Sequence, residues 1–335
     1  MKISEIYSKH YIIVRLSNFI LVFIAILIIN FFIPRMMPGN FAQIYLAQLQ
    51  ESTAGLNINT KYLEQEINSM FGLNKPLFDQ FIIYLRNVFS IHPNFGPSFE
   101  YYPEPAWNVV LQAAPWTLLL IGTSQLIAWS TGVFVGVYSA VHKSNVINRI
   151  FKPIYVFMLT IPPFWLGMIF IFVFAIELKV LPAGLAHSAH FTAYSVFLHL
   201  ILPMSVVIIA TFPSHVIVIR NSALEVLSSN YVMAMKAQGL SNGLFLKRVI
   251  KNSFLPSITQ FFMSLGWLIG GIYVVEYTFS YPGMGTVIAN AVFSLDYPVL
   301  QAALFLTTLG VLIANLCADF IYPLIDPRVS YASVR

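Results

Sequence analysis

Six long stretches of this sequence are apolar and nearly devoid of charge, and each is long enough to cross a lipid bilayer as a helix. A spanning helix needs about 20 mostly apolar residues. In lipid, the backbone polar groups must find partners within the chain, which favours helices. Only 9% of the 335 residues are charged, whereas soluble domains carry about 25%. The sequence therefore predicts an all-α, polytopic membrane protein with six transmembrane helices. The predicted spans are residues 16–33, 115–141, 153–176, 196–219, 257–275 and the stretch after Asp296 that ends near Ala318.

The first apolar stretch follows Lys2, Lys9 and Arg15, and a secretory signal peptide begins in a similar way. Signal peptides, however, have a shorter apolar region of about 7–15 residues, followed by small residues. This stretch instead ends in Pro34-Arg35-Met36-Met37-Pro38-Gly39. We therefore expect an uncleaved first transmembrane helix within residues 1–39.

Lysine and arginine residues are distributed unevenly between the predicted loops, and this predicts an orientation. With both termini in the cytoplasm, thirteen of the 18 lie on the cytoplasmic side and five lie outside. Residues 40–112 are then an extracytoplasmic segment, residues 220–256 a cytoplasmic loop within a five-helix core over residues 113–325, and residues 326–335 a cytoplasmic tail. The thirteen are Lys2, Lys9, Arg15, Lys143, Arg149, Lys152, Arg220, Lys236, Lys247, Arg248, Lys251, Arg328 and Arg335, and the five are Arg35, Lys61, Lys75, Arg86 and Lys179.

The loop over residues 220–256 is the only extended charged segment in the second half of the chain. Its first part predicts a short helix, because Ser229 or Asn230 can serve as an N-cap and Gly239 can stop the helix. Ser241 or Asn242 can cap a second helix, which should end before Pro256. We therefore expect an L-shaped helical loop, although a solvated connector would also explain its polarity. The second helix carries three cations that we expect near its C-terminal end, where they favour the helix dipole: Lys247, Arg248 and Lys251.

The order of residues in this loop resembles the cytoplasmic coupling loop of binding-protein-dependent ABC importer permeases, in their oligopeptide, dipeptide and nickel branch. The matching runs are Tyr231-Val232, Lys236-Ala237-Gln238-Gly239-Leu240-Ser241 and Lys251-Asn252-Ser253-Phe254-Leu255-Pro256. The loop is named after a Glu-Ala-Ala triplet, and its three places here hold Met233, Ala234 and Met235. The resemblance therefore gives little support for a contact made by an acidic side chain at these places.

Further motifs resemble the same branch in collinear order over nearly the whole chain. They are Met37-Pro38-Gly39-Asn40 after the first span, Phe71-Gly72-Leu73-Asn74-Lys75-Pro76-Leu77 and Phe95-Gly96-Pro97-Ser98 in the external segment, the Pro-x-Phe-Trp-x-Gly pattern of residues 162–167, the turn at residues 277–285, and the Asp326-Pro327-Arg328 ending.

The resemblance implies a type I ABC importer permease fold and a transport function without enzymatic activity of its own. It implies a second homologous permease, two cytoplasmic ATP-binding subunits and an extracytoplasmic solute-binding protein as partners, and no cofactor. Oligopeptides or dipeptides are the implied solutes, with nickel, a metal chelate or an oligosaccharide as alternatives. The residues implied to contact the ATPase are Tyr231, Met233, Ala234, Met235, Lys236, Ala237, Gly239, Leu240 and Ser241.

Two other functional classes fit the composition less well. A secondary transporter or channel usually has ionisable residues inside its spans, whereas Glu276 and Asp319 lie at predicted span ends, where we expect an interfacial position. An intramembrane enzyme would need a Gly-x-Ser-x-Gly nucleophile or paired metal motifs, and neither is present. The run His142-Lys143-Ser144 lacks the glycines of a phosphate-binding loop, so the chain encodes no ATP site.

Three features inside the predicted core have competing interpretations. Pro162-Pro163 must kink the third span, either for packing or to line a pore. Gly132-x-x-x-Gly136 indicates close helix packing. The pair His187-x-x-His190 has no third ligand at helical spacing, so we expect no metal site there. Together with His199 and His215, these histidines are expected to be interfacial polar residues.

Overall fold

Helices make up nearly all of the protein over the residues that its computed structural model describes, which are 9–36, 65, 74–91, 93–142, 146–184, 192–230, 232 and 241–325. Within these ranges the helices are α1 Lys9–Met36, α2 Leu77–Val88, α3 Ala106–Val141, α4 Val146–Thr160, α5 Pro163–Phe170, α6 Ala193–Ser228, α7 Asn242–Gly271, α8 Tyr273–Thr278, α9 Met284–Phe293 and α10 Tyr297–Ile325. A π-helical turn, Ile171–Glu177, continues α5.

The long helices occupy the positions of the predicted spans. In the described part of the chain, four helices are long and apolar enough to cross a membrane unbroken: α1, α3, α6 and α10. Helices α4 and α5 with the π-helical turn form a fifth, broken candidate. Helix α7 covers most of the predicted span at residues 257–275, up to Gly271. The prediction of an all-α, polytopic membrane fold is therefore confirmed.

Several helices extend beyond the apolar stretches that predicted them. Helix α1 begins at Lys9 instead of residue 16, and α3 begins at Ala106, with Pro115 inside it. Helix α6 continues to Ser228, beyond the predicted end at residue 219. Hydropathy marks where a helix can lie in lipid, whereas the hydrogen-bond ladder continues through polar residues as long as their backbones stay helical.

The third predicted span is divided into two helices, so the structure shows a complete break where the sequence predicted a kink. Its axis turns by 94° between Thr160 and Pro163. Neither Pro162 nor Pro163 has an N–H, so the carbonyls of Met158 and Leu159 lose their helical donors. Proline is well tolerated at the first position of a helix, and α5 accordingly starts anew at Pro163.

The chain forms two compact units, one of which contains the described parts of Met1–Phe19, Leu118–Tyr281 and Gly310–Arg335. In this first unit Arg15 makes an ion pair with Asp319 at 3.3 Å, and the Tyr11 hydroxyl donates to the Asp319 carbonyl at 2.8 Å. Glu276 is fully buried in α8. The expectation that Glu276 is interfacial is therefore wrong, because the chain breaks after Gly271 and α8 lies within the packed unit.

The second unit contains the described parts of Ile20–Thr117 and Pro282–Leu309. Its core is aromatic: the Phe31 ring lies 5.1 Å from Phe81, and Phe95 lies 5.6 Å from Phe305. Two buried amides are joined reciprocally, since Asn30 Nδ2 donates to the Gln301 carbonyl at 3.0 Å and Gln301 Nε2 donates to the Asn30 carbonyl at 3.1 Å. These bonds offset part of the penalty of placing two amides in an apolar core, while among the described residues Asn30 Oδ1 has no hydrogen-bond partner.

Candidate coupling site

The predicted loop over residues 220–256 is shorter in the structure than the sequence suggested. Helix α6 continues to Ser228 and α7 begins at Asn242, so only residues 229–241 separate the two long helices. We call residues 229–241 the coupling segment. The expected second short helix does not end before Pro256, because it is the first part of the 30-residue α7. Pro256 removes one backbone donor within α7 without ending it.

Most of the predicted contact residues lie outside the residues that the structure describes. They are Tyr231, Met233, Ala234, Met235, Lys236, Ala237, Gly239 and Leu240. Ser241 is described, and its carbonyl accepts the Phe245 N–H at 2.9 Å as α7 begins. The predicted start of this helix at Ser241 or Asn242 is therefore confirmed.

The structure also describes the N-terminal end of the coupling segment, where α6 ends. Ser229 has an extended backbone at the end of α6, and its hydroxyl donates to the Val226 carbonyl at 2.6 Å. Asn230 is again helical, and the Val232 N–H donates to the Ser229 carbonyl at 3.0 Å. Val232 is buried, with 2% of its surface exposed. The segment therefore turns at Ser229 and buries the apolar side chain of Val232 three residues later.

A cluster of small apolar side chains holds the helices together next to the coupling segment. We call it the basal cluster, and its buried members are Val133, Val137 and Ala140 of α3, Ile219 and Ala223 of α6, and Val249 of α7. Close packing between such side chains supplies much of the association energy of helices in membranes. The ends of α6 and α7 that flank the coupling segment are thus fixed to each other and to α3.

Two glycines allow α3 to approach α6 closely. A Cβ on Gly132 would lie 2.7 Å from the His215 Cβ, and a Cβ on Gly136 would overlap the Ile219 side chain and lie 2.8 Å from the Val216 carbonyl oxygen. No side chain larger than hydrogen fits at either position without movement. The predicted packing role of Gly132 and Gly136 is therefore confirmed.

The cations of the predicted loop lie near the start of α7. Lys247, Arg248 and Lys251 are exposed in the first ten residues of this helix. The expectation that they favour the dipole at a helix C-terminus is wrong, because α7 continues for five further turns beyond them. Arg220 of α6 donates from Nε to the Ser139 hydroxyl of α3 at 3.2 Å. The flanks of the coupling segment are therefore basic.

A buried polar group that the sequence did not reveal lies within the helices of the first unit. Gln125 of α3 donates from Nε2 to His215 Nε2 of α6 at 2.6 Å and also to the Ser264 hydroxyl of α7. Gln125 and His215 are at most 1% exposed, so the expectation that His215 is interfacial is wrong. The sequence feature that could have indicated this polar group is Gln125 itself, an amide in an otherwise apolar stretch. His187 and His190 lie outside the described residues.

A cavity of about 500 Å³ lies beside the break between α4 and α5. Its lining comes from the residues around the break, from α6 and from α7, and Ser264 connects it to Gln125. The 94° turn of the axis thus opens space among helices that would otherwise pack. The first unit combines closely packed helices beside the coupling segment with a partly polar cavity among its apolar helices.

Known proteins are similar to this chain in sequence over most of its length. The family described as "Binding-protein-dependent transport system inner membrane component" matches residues 132–331. The oligopeptide transport system permease protein AppB of Bacillus subtilis (strain 168) is 31% identical over 325 residues, which are 96% of this chain and 99% of that protein. The glutathione transport system permease protein GsiC of Escherichia coli (strain K12) is 31% identical over 323 residues, with the same two coverages of 96% and 99%. With a match of this length, the chain belongs to the family of binding-protein-dependent transport system inner membrane components.

Proposed function

We propose that this chain is one membrane subunit of an ATP-driven ABC importer for oligopeptides or dipeptides. A second homologous permease would complete the solute path, two cytoplasmic ATP-binding subunits would supply energy, and an extracytoplasmic binding protein would deliver the solute. The family supports the transport role. The relatives carry the names of oligopeptide and glutathione permeases, and glutathione is itself a tripeptide. Peptides are therefore the leading solute class, ahead of nickel, a metal chelate or an oligosaccharide.

One observation carries the proposed coupling: residues 229–241 join two long helices whose adjacent ends are packed together by the basal cluster. A force applied to a segment between two loose loops would be lost in backbone motion. Here it would act on α6, α7 and α3 together, because small residues pack them closely. We expect the predicted contact residues, from Tyr231 to Ser241, to seat on the ATPase and to transmit its closure.

The orientation of the chain follows from the same proposal. The coupling segment and both termini face the cytoplasm, as the distribution of lysine and arginine favours. The exposed cations Lys247, Arg248 and Lys251 next to the segment agree with a cytoplasmic position. Residues 1–39 then hold the N-terminus and first span, residues 40–112 lie outside, and the five-helix core over 113–325 ends in a cytoplasmic tail at 326–335.

The energy source distinguishes this proposal from a secondary transporter or channel. The assembled complex is reconstituted in vesicles with the binding protein and a casein hydrolysate as the peptide source, and accumulated peptides are identified by mass spectrometry. We expect accumulation with ATP and none with a non-hydrolysable ATP analogue. Continued accumulation with the analogue under an ion gradient would establish a secondary transporter and contradict the proposal.

A further inference from the structure

The cavity beside the helix break has an unusual lining for a membrane helix bundle. Four of its residues are polar: Thr211 and Ser214 of α6, and Gln260 and Ser264 of α7. None of the described residues that line it is charged. Uncharged polar side chains within spans either hydrogen-bond across helices or line a path for a solute, and here they line a cavity. The described lining carries no fixed charge that would neutralise a charged ligand, which favours an uncharged polar ligand.

The hydroxyl groups of this cavity are oriented by their own helices. The Thr211 hydroxyl donates to the Val207 carbonyl at 2.9 Å, the Ser214 hydroxyl to the Thr211 carbonyl at 2.6 Å, and the Ser264 hydroxyl to the Phe261 carbonyl at 2.8 Å. A hydroxyl that has donated its hydrogen presents only lone pairs. The α6 side of the cavity therefore offers acceptors and needs a ligand that brings N–H or O–H donors.

The broken span adds another acceptor at the same place. Leu159 lines the cavity, and the residue four positions later is Pro163, which has no N–H to donate to the Leu159 carbonyl. Non-helical backbone at membrane depth is tolerated where it lines a cavity. The break thus leaves a carbonyl without its helical donor at a residue that lines the cavity.

Behind the cavity, polar atoms are buried at an energetic cost. Within the described residues, Gln125 Oε1 and His215 Nδ1 have no hydrogen-bond partner, and a buried polar atom left unpaired costs about 1–3 kcal/mol. Gln125 reaches the cavity through Ser264. Such a cost is expected at a site that serves function, since an apolar core of the same shape would be more stable.

We infer that this cavity is a subsite of the solute path that binds the backbone amide N–H groups of a peptide. The inference rests on the proposed function and specifies the part of the solute that this chain contacts. A peptide backbone supplies uncharged N–H donors, which match the acceptors of Thr211, Ser214 and the Leu159 carbonyl. A sugar is a poorer match because each of its hydroxyls can also accept a hydrogen bond and needs a donor, and among the described residues that line the cavity Gln260 alone carries an amide donor.

Cysteine accessibility tests this subsite in the assembled transporter. Cys317 is the one cysteine of the chain, so Cys317→Ser provides a thiol-free subunit into which Ser214→Cys is introduced. Thr211→Cys serves as a second variant, and Arg86→Cys, an exposed polar position on α2 outside the cavity, is the control. Modification by a hydrophilic methanethiosulfonate is measured on this chain by mass spectrometry, with casein hydrolysate, maltotriose or neither present.

We expect both cavity cysteines to be modified and casein hydrolysate to slow the reaction by about tenfold at a concentration about ten times its dissociation constant. Maltotriose should have no effect, and modification at the control position should not respond to peptides. Peptide uptake is measured in the same vesicles. ATP-driven uptake with cavity cysteines that are unreactive or unprotected would overturn the subsite alone, whereas absence of ATP-driven peptide uptake would overturn the proposed function and the peptide assignment with it.

Discussion

Ser98 donates a hydrogen bond from its hydroxyl to Oδ2 of Asp296 at 2.5 Å, across 198 residues of sequence. The same carboxylate oxygen accepts the backbone N–H groups of Phe99 at 2.9 Å and Glu100 at 3.1 Å. Oδ1 accepts the Val299 N–H at 3.2 Å, which makes Asp296 the N-cap of α10. One buried carboxylate therefore caps the last long helix and anchors the loop before α3 within the second unit.

Replacing Asp296 should destabilise this unit strongly. Asp296→Ala removes a charged acceptor from four buried or partly buried donors, and we expect a loss of about 3 kcal/mol or more in the free energy of unfolding. Thermal unfolding of the detergent-solubilised chain measures it. Glu104→Ala is the matched control, because Glu104 lies in the same loop and its side chain accepts one exposed hydrogen bond, from Gln112. Equal losses in the two variants would contradict the anchoring role.

The protonation of Asp296 should also make stability depend on pH. Burial raises the pKa of Asp296 above its ordinary value of 3.8, and the hydrogen bonds from Ser98, Glu100, Val299 and Phe99 only partly offset this effect on the pKa. The folded state thus binds the proton more tightly than the unfolded chain, so the stabilisation is complete below pH 3.8 and is lost as the pH rises through the raised pKa.

The direction of this pH dependence is tested by measuring the unfolding temperatures of the wild type and Asp296→Asn side by side from pH 4 upward. The advantage of the wild type over the variant should shrink as the pH rises. An advantage that grows with pH would mean that the hydrogen bonds outweigh burial and lower the pKa.

The close approach of α3 and α6 makes Gly136 sensitive to the smallest substitution. Gly136→Ala places a methyl group onto the Ile219 side chain and close to the Val216 carbonyl, and we expect it to cost about 1–3 kcal/mol. Gly122→Ala on the same helix is the control, since apart from the adjoining residues and backbone of α3 no atom of the described residues lies within 4 Å of the added methyl group. It should be neutral or stabilise by up to about 1 kcal/mol, because alanine is the better helix former. Similar unfolding temperatures for both variants would contradict the packing argument.

Gly239 tests the proposed coupling directly. In the assembled complex, Gly239→Val should reduce peptide-stimulated ATP hydrolysis by about fivefold or more, the low end of a typical coupling free energy, while membrane insertion remains intact. The control is Gly243→Val in the first turn of α7, where an added side chain meets open space. Undiminished stimulation in Gly239→Val would show that the segment does not need glycine to transmit the signal.

Hydropathy was sufficient to place the long helices, because the cost of exposing polar backbone to lipid leaves few alternatives. The ends of the helices were harder to predict. Residues around Lys9 and Arg220 are polar enough to suggest loops, yet their backbones continue the helical hydrogen bonding of α1 and α6. The double proline predicted a disturbance at residues 162–163, but the size of the turn depends on tertiary packing, which the local sequence does not contain.

The buried polar residues could not be located from the sequence because their partners are distant. Gln125, His215 and Ser264 lie on three different helices, and each alone looks like an isolated polar residue in an apolar stretch. Asp296 could be recognised as a candidate cap before a helix, but not its bond to Ser98. The coupling segment was found by its resemblance to a family, and its predicted contacts remain predictions.

The continuity of helix α7 bears on how movement would be transmitted to the cavity. It begins at the coupling segment and runs through Gln260 and Ser264 without a break, a distance of about 33 Å from Asn242 to Ser264 at 1.5 Å per residue. Axial displacement or rotation of its first turn would therefore reach the cavity wall directly, since no hinge loop intervenes to absorb it. In the proposed mechanism, the helix turn that would receive the movement of the ATPase and the surface that would hold the solute therefore belong to one continuous helix.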